Sequence, residues 1–159
     1  MKRIMFVCHG NICRSPMAEF IFKDIIKRNL VQDEYYVSSS ATSTEEIYRG
    51  IGNPVYPPAA AVLSLHGIEC KGKRAVVLEP SDAGNFDMFI GMDSANIRNM
   101  HRILGTDAED KIFKLLDFTG SGRDVTDPWY SERFDIAYSD IYEGCCALYS
   151  YLARGSYQL

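Results

Sequence analysis

The sequence predicts an α/β protein, a parallel sheet covered on both faces by helices and joined by right-handed crossovers. Two observations carry this. Short runs of strand-forming residues alternate along the chain with longer segments whose apolar residues recur every three or four positions. In addition, the first strand ends in a loop that leads directly into a helix, the place where ligands bind in such sheets. No internal repeat, low-complexity tract or linker divides the chain, so residues 1–159 are expected to form a single domain.

The elements follow in order. Arg3-Ile4-Met5-Phe6-Val7 is a buried apolar strand. Ser15 as N-cap and Pro16 at the first helical position open an amphipathic helix. That helix sets Ala18, Ile21, Phe22, Ile25 and Ile26 on one face, with Glu19, Lys23, Asp24 and Lys27 between them. Tyr35-Tyr36-Val37-Ser38-Ser39 reads as the second strand. Pro57-Pro58 starts a helix that runs through Ala61, Leu63 and Leu65 and stops at Gly67. Phe86-Asp87-Met88-Phe89-Ile90 is the third strand. Asp93 then caps a helix that brings Ile97, Met100 and Leu104 together before Gly105. Lys111-Ile112-Phe113-Lys114-Leu115-Leu116 is the fourth strand, and a long helix from about Phe134 to Arg154 carries Phe134, Ala137, Ile141, Leu148 and Leu152 at helical steps.

A chain of 159 residues is long enough to bury a core without staples. A net charge of −4 supplies no basic footprint for nucleic acid, and neither a 20-residue apolar run nor a signal-like N-terminus is present, so a cytoplasmic protein without a membrane partner is expected. The five cysteines lack the paired spacing of a zinc site, which leaves no metal to expect and reduced thiols as the default. A monomer is the working expectation.

The chemistry concentrates in Val7-Cys8-His9-Gly10-Asn11-Ile12-Cys13-Arg14-Ser15-Pro16. A loop of this length, closed by a helix N-terminus, can curl its backbone N–H groups around an anion. A Cys at its mouth, near a guanidinium, is favoured as thiolate over thiol, and thiolate is the nucleophile. Arg14 offers a planar fork of donors that holds two oxygens of a phosphoryl group, in the ester and as charge spreads at the transition state.

The string Cys8-x-Gly-Asn-Ile-Cys-Arg-Ser-Pro resembles the low-molecular-weight protein tyrosine phosphatases, and the resemblance extends over essentially the whole chain. It implies a three-layer α/β/α fold, with four parallel strands in the order 2-1-3-4. It also implies hydrolysis of phosphotyrosine in a protein substrate, with inorganic phosphate as product and no cofactor. An aryl ester needs a carboxylic acid opposite the nucleophile to protonate its leaving oxygen. The Gly-rich segment after the fourth strand presents Asp127-Pro128-Trp129-Tyr130, which also resembles the acid loop of that family, so Asp127 is the expected general acid and Asp124 the weaker candidate.

Around these, Ser15 is expected to hydrogen-bond the thiolate. The loop positions His9, Gly10, Asn11, Ile12 and Cys13 are expected to contact substrate, with no specific role for His9. Ile12, Trp129 and Tyr130 would form apolar walls for a phenyl ring, and Tyr48 is a further candidate wall. A related branch that removes phosphate from arginine carries Thr at the position of Ile12. The resemblance implies that Asn11 braces the loop, with Ser39 and His66 as structural support. Cys13 is a candidate for capturing an oxidised Cys8 as a disulfide. Two stretches depart from the family pattern: Gly72-Lys73-Arg74-Ala75 stands where His-x-Ala-Arg is usual, and Tyr48-Arg49-Gly50 lengthens the preceding loop.

Three rival functions stay open. A thiol-dependent arsenate reductase on the same fold would need further cysteines after the third strand, and Gly91-Met92-Asp93-Ser94 supplies none. A phosphocysteine carrier domain would relay phosphate and have no use for Arg14 or Asp127. An inactive phosphotyrosine-binding module would not need an intact Cys, Arg and Asp.

Overall fold

The computed structural model describes residues 1–155. The elements are β1 (Lys2–Cys8), α1 (Arg14–Arg28), β2 (Tyr35–Ala41), β3 (Ile47–Tyr48), β4 (Ile51–Gly52), α2 (Pro57–Leu65), β5 (Met88–Gly91), α3 (Ser94–Leu104), β6 (Ile112–Lys114), α4 (Pro128–Ser131) and α5 (Phe134–Gly155). Four strands form a parallel sheet in the order β2-β1-β5-β6. With the β3–β4 hairpin set aside, this is the expected 2-1-3-4 order.

The alternation of a strand divides the core. Ile4, Phe6 and Cys8 of β1 face one layer, with Met17, Ile21 and Phe22 of α1 and Ile141 and Leu148 of α5. Met5 and Val7 face the other layer, with Phe89 of β5 and Met100 and Leu104 of α3. Both faces of β1 are therefore apolar, as a central parallel strand requires. The chain leaves β1 toward β2 on one side and later fills β5 on the other. The carboxyl end of β1 thus lies at the point where the strand order reverses, and a cleft opens there.

Several boundaries differ from the sequence reading. α1 begins at Arg14, with Cys13 as the N-cap residue and no side-chain cap. Ser15 therefore lies inside the first turn. β5 starts two residues later than expected, at Met88. The expected fourth strand stops at Lys114, because Leu115–Thr119 wind into a 3-10 turn that buries Leu115 and Leu116. Gly144 of α5 accommodates that turn: a Cβ there would lie 2.5 Å from Leu115 Cγ.

The hairpin was not legible in strands of two residues. It forms because Arg49 and Gly50 both take positive φ, 51° and 78°, the turn whose twist matches its flanking strands. Gly52 closes it onto the neighbouring segment, where a Cβ would sit 1.9 Å from the Ala75 carbonyl oxygen. Among the described residues, no helix is long and apolar enough to cross a membrane.

Candidate active site

The loop between β1 and α1 wraps around the Cys8 sulfur. The backbone N–H groups of Asn11 and Ser15 point at Sγ from 3.3 and 3.4 Å, and the Ser15 hydroxyl stands 3.0 Å away. Cys8 is 4% exposed at the floor of a cleft of about 400 Å³. Gly10, Ile12, Cys13 and Arg14 line the same cleft with Asp127 and Trp129.

A chain of hydrogen bonds fixes which way the Ser15 hydrogen points. The Val76 N–H can only donate, and it donates to Asn11 Oδ1 at 3.1 Å, which sets the orientation of the amide. Asn11 Nδ2 then donates to Ser15 Oγ at 2.8 Å and to Ser39 Oγ at 2.9 Å. Ser39 directs its own hydrogen to Glu19 Oε1 at 2.6 Å. Ser15 Oγ, already accepting from Asn11, keeps its hydrogen for Cys8 Sγ; its other acceptor, Ser40 O, is farther away at 3.5 Å. Asn11 is 1% exposed and takes φ +60°, a left-handed conformation that Asn tolerates better than most side chains. It is turned away from the cleft, so among the loop residues expected to contact substrate, Asn11 serves as the brace and not as a wall.

Two lysines balance the buried Glu19. Lys23 Nζ lies 2.6 Å from Oε2, and Lys73 Nζ lies 3.7 Å from Oε1 while donating to the Ser39 carbonyl at 3.0 Å. Burial lowers the Lys73 ammonium from its ordinary value, and Glu19 works against that fall. These residues fill the place that His66 was expected to take. His66 instead caps α2 and stacks on Tyr138 of α5, with ring centroids 3.9 Å apart and planes 9° from parallel. That stacking places it on the α5 side of the molecule, and it does not line the Cys8 cleft. Tyr48 is likewise outside the cleft. It stands 73% exposed on the hairpin, with the Arg49 guanidinium 5.3 Å over its ring.

Arg14 is held by three groups. Its Nη2 lies 2.8 Å from Asp93 Oδ2 and 3.6 Å from Asp127 Oδ2, and Nη1 donates to the Val125 carbonyl at 3.1 Å. Burial acts to lower the guanidinium, but the charges of Cys8, Asp93 and Asp127 outweigh it and keep Arg14 protonated. Asp93 was read only as a cap. It does cap α3, accepting from Asn96 N–H at 2.8 Å through Oδ1, and it also pins Arg14 through Oδ2. Its position, two residues past the carboxyl end of a central parallel strand, was the available signal.

Asp127 caps the short α4, with Oδ1 accepting from the Trp129 N–H at 3.0 Å. Asp124 points elsewhere, and its Oδ1 accepts from Ser94 N–H, Ser94 O–H and Lys114 Nζ. Burial raises the Asp124 carboxyl, yet the Lys114 and Ser94 contacts prevail and hold it below 3.8, so this group stays ionised and is a poor proton donor. Ile12 packs with Ala75 and Ile47, while Trp129, 54% exposed, leans on Tyr56 at 5.2 Å between centroids. Tyr130 lines the rim at 85% exposure, and His9 pairs with Glu45 at 3.0 Å across the opposite rim.

Cys13 is buried beside these charges. Burial first, then the Cys8 and Asp127 charges, push its thiol up to about 12. All five cysteines are free, and Cys145 lies in the core with its thiol directed at the Ala18 carbonyl. Glu19 and Lys73 were missed by the sequence reading. The signal for Glu19 was its spacing of four residues after Ser15, which sets the two side chains on one face of α1. The signal for Lys73 was the departure at Gly72-Lys73-Arg74-Ala75.

A family model described as low molecular weight phosphotyrosine protein phosphatase matches residues 3–157. The low molecular weight protein-tyrosine-phosphatase PtpA of Staphylococcus aureus is 33% identical over 155 residues, covering 97% of this chain and 96% of its own. The crystal structure of YfkJ from Bacillus subtilis superposes with a TM-score of 0.91 at 32% identity, covering 98% of this chain and 96% of its own. The YwlE arginine phosphatase, solved as a mutant with a phosphorylated active-site serine, superposes with a TM-score of 0.80 at 27% identity, covering 95% of each chain.

Proposed function

Because the chain belongs to the low molecular weight phosphotyrosine protein phosphatase family, we propose that it hydrolyses phosphotyrosine and other aryl phosphates through a phosphocysteine on Cys8. In the first step the Cys8 thiolate attacks phosphorus in line, and protonated Asp127 gives its proton to the departing phenolic oxygen. In the second step the Asp127 carboxylate takes a proton from water as that water attacks the phosphocysteine. The sulfur leaves as thiolate, stabilised by the hydroxyl of Ser15, and inorganic phosphate departs. Arg14 and the loop N–H groups hold the phosphoryl oxygens in both steps. The same reading takes residues 1–159 as one domain acting as a cytoplasmic monomer.

The observation that carries this reading is that Cys8, Arg14 and Asp127 share one cleft although 119 residues separate the first from the last. The Ser15 hydroxyl, whose hydrogen the Asn11 brace leaves for sulfur, supports a thiolate that must leave as well as attack. Neither requirement belongs to a phosphate carrier. Ile12, Trp129 and Tyr130 along the cleft favour a planar ring over a short serine ester.

The test is phosphate release from phosphotyrosine, phenyl phosphate, phosphoserine and phosphoarginine, with chelator present, for wild type, Cys8→Ser and Asp127→Ala. Turnover of the aryl esters is expected, with Cys8→Ser inert and Asp127→Ala slowed about 10²- to 10⁴-fold, the range for a general acid. A wild type that accumulates phosphorylated Cys8 without releasing phosphate would refute the hydrolase reading in favour of a carrier.

A further inference from the structure

The segment that ends in Asp127 is fastened on two sides. Asp124 reaches toward α3 through Ser94 and toward β6 through Lys114. Val125 is buried at 2% exposure, its N–H bound to the Met92 carbonyl at 2.9 Å and its own carbonyl to Arg14. Arg123 and Thr126 turn the other way and meet Asp140 of α5. Arg123 Nη2 donates to Asp140 Oδ1 at 2.9 Å, while the Thr126 N–H and O–H lie 3.4 and 3.5 Å from Oδ2. Glu143 Oε2, 3.5 Å from the same Nη2, is a second and more exposed partner for Arg123.

Asp140 is 7% exposed and sits among Ala137, Ile141 and Gly144 on the inner face of α5. A carboxylate in such a place is costly unless donors surround it, and an apolar residue would pack the helix as well. Its three donors all come from the two loop residues Arg123 and Thr126, the latter immediately before Asp127. Gly120 and Gly122, at φ +81° and +67°, constrain the backbone before Arg123 little, and Asp140 fastens the α5 side of the loop as Ser94, Lys114 and Met92 fasten the other.

We propose that Asp140 is the positioning residue of the acid loop. By tying Arg123 and Thr126 to the 22-residue helix α5, it sets where the Asp127 carboxyl stands over the phosphoryl group held by Cys8 and Arg14. The proposal rests on Asp127 being the general acid. Asp140 touches no reacting atom, and the phosphate-binding loop has its own supports in Asn11 and Asp93. Loss of Asp140 therefore misplaces the proton donor and leaves anion binding intact, and a displacement of about 1 Å at a reacting group is enough for a large rate loss.

The experiment measures kcat/KM on 4-nitrophenyl phosphate, a good leaving group, and on phenyl phosphate, a poor one, together with inhibition by inorganic phosphate. It uses Asp140→Asn, Arg123→Ala, Asp127→Ala and the double variant of Asp127→Ala with Asp140→Asn. Arg123 is at the surface, so its variant gives the answer even where Asp140→Asn does not fold. Expected is a fall of about tenfold on phenyl phosphate for Asp140→Asn and Arg123→Ala, a much smaller fall on 4-nitrophenyl phosphate, and unchanged inhibition by phosphate. The double variant should be no slower than Asp127→Ala alone. Equal falls on both esters, weaker phosphate inhibition or an additive double variant would overturn the proposal. If Asp127→Ala itself shows no dependence on the leaving group, the general-acid assignment falls first and the anchor with it.

Discussion

Replacing Asn11 tests the hydrogen-bond chain behind the Cys8 sulfur more directly than any change at Cys8 itself. In Asn11→Ala the Val76 N–H loses its acceptor, two donor contacts to Ser15 and Ser39 disappear, and an alanine must hold φ +60°. The two lost bonds are worth about 1 kcal/mol each, the orphaned N–H about 1 kcal/mol because Val76 is partly exposed, and the left-handed backbone about 1 kcal/mol. Together these predict a destabilisation of about 4 kcal/mol, or a Tm lower by about 8–16 °C for a chain of this size. Asn11→Gly removes the backbone term only and should recover about 1 kcal/mol of the loss.

Asn11→Asp separates stability from polarity. The carboxylate still accepts from Val76 but has no donor for Ser15, so the Ser15 hydroxyl turns its hydrogen to the new carboxylate and away from Cys8 Sγ. A hydrogen bond to a charged group is worth about 1.5–3 kcal/mol, so kcat should fall roughly tenfold to a hundredfold while the protein stays folded. The assay is urea unfolding with kcat measured on the same preparations. If Asn11→Gly is no more stable than Asn11→Ala, the backbone argument is wrong. If Asn11→Asp keeps the kcat of wild type, Asn11 does not set the direction of the Ser15 hydrogen bond.

Two further outcomes follow from titrating groups. The Asp124 carboxyl lies below its ordinary 3.8, so its contribution to stability is present above about pH 4 and lost as pH falls through the lowered value. The stability difference between wild type and Asp124→Asn should accordingly shrink on acidification below pH 4. A difference that does not change with pH contradicts the Lys114 and Ser94 contacts. After peroxide converts Cys8 to a sulfenic acid, the Cys13 thiolate must displace its hydroxyl to form a disulfide. With the Cys13 thiol near 12, the rate of that link, followed by mass spectrometry, should rise about tenfold per pH unit between pH 7 and 9, and a flat profile would rule out Cys13 thiolate as the limiting species.

The stretches that could be read in one dimension were those whose physics is local. The apolar run of β1, the period of 3.6 in α1 and α5, the proline start of α2 and the Asp cap of α3 depend on residues within a turn or two of one another, and each element appears where its pattern lies. The five-residue interval from Cys8 to Arg14 is equally local, because a loop joining a strand to a helix holds both side chains over one anion-sized space. Misreadings arose where a backbone choice had to be known first. Ser15 looked like a cap because Ser-Pro usually opens a helix; the helix starts two residues earlier, which frees the hydroxyl for sulfur. Likewise, the two-residue strands of the hairpin are too short to carry any period.

What the sequence determined by itself, then, was the α/β architecture, the loop from Cys8 to Arg14 and the presence of a carboxyl group in the Asp127 segment. Tertiary structure alone decided which polar residues serve them. Glu19, Ser39 and Lys73 lie on α1, β2 and the segment after α2, and converge only because parallel strands stack their carboxyl ends together. Asp93 turns from a cap into a partner of Arg14 because β5 pairs with β1. Asp140 meets Arg123 because α5 folds back under the acid loop, and His66 misses the site because α2 ends beside α5. Hydrogen bonds and ion pairs act over about 3–4 Å in space. A chain can declare which residues bear charge, but only its folding brings those charges within that distance.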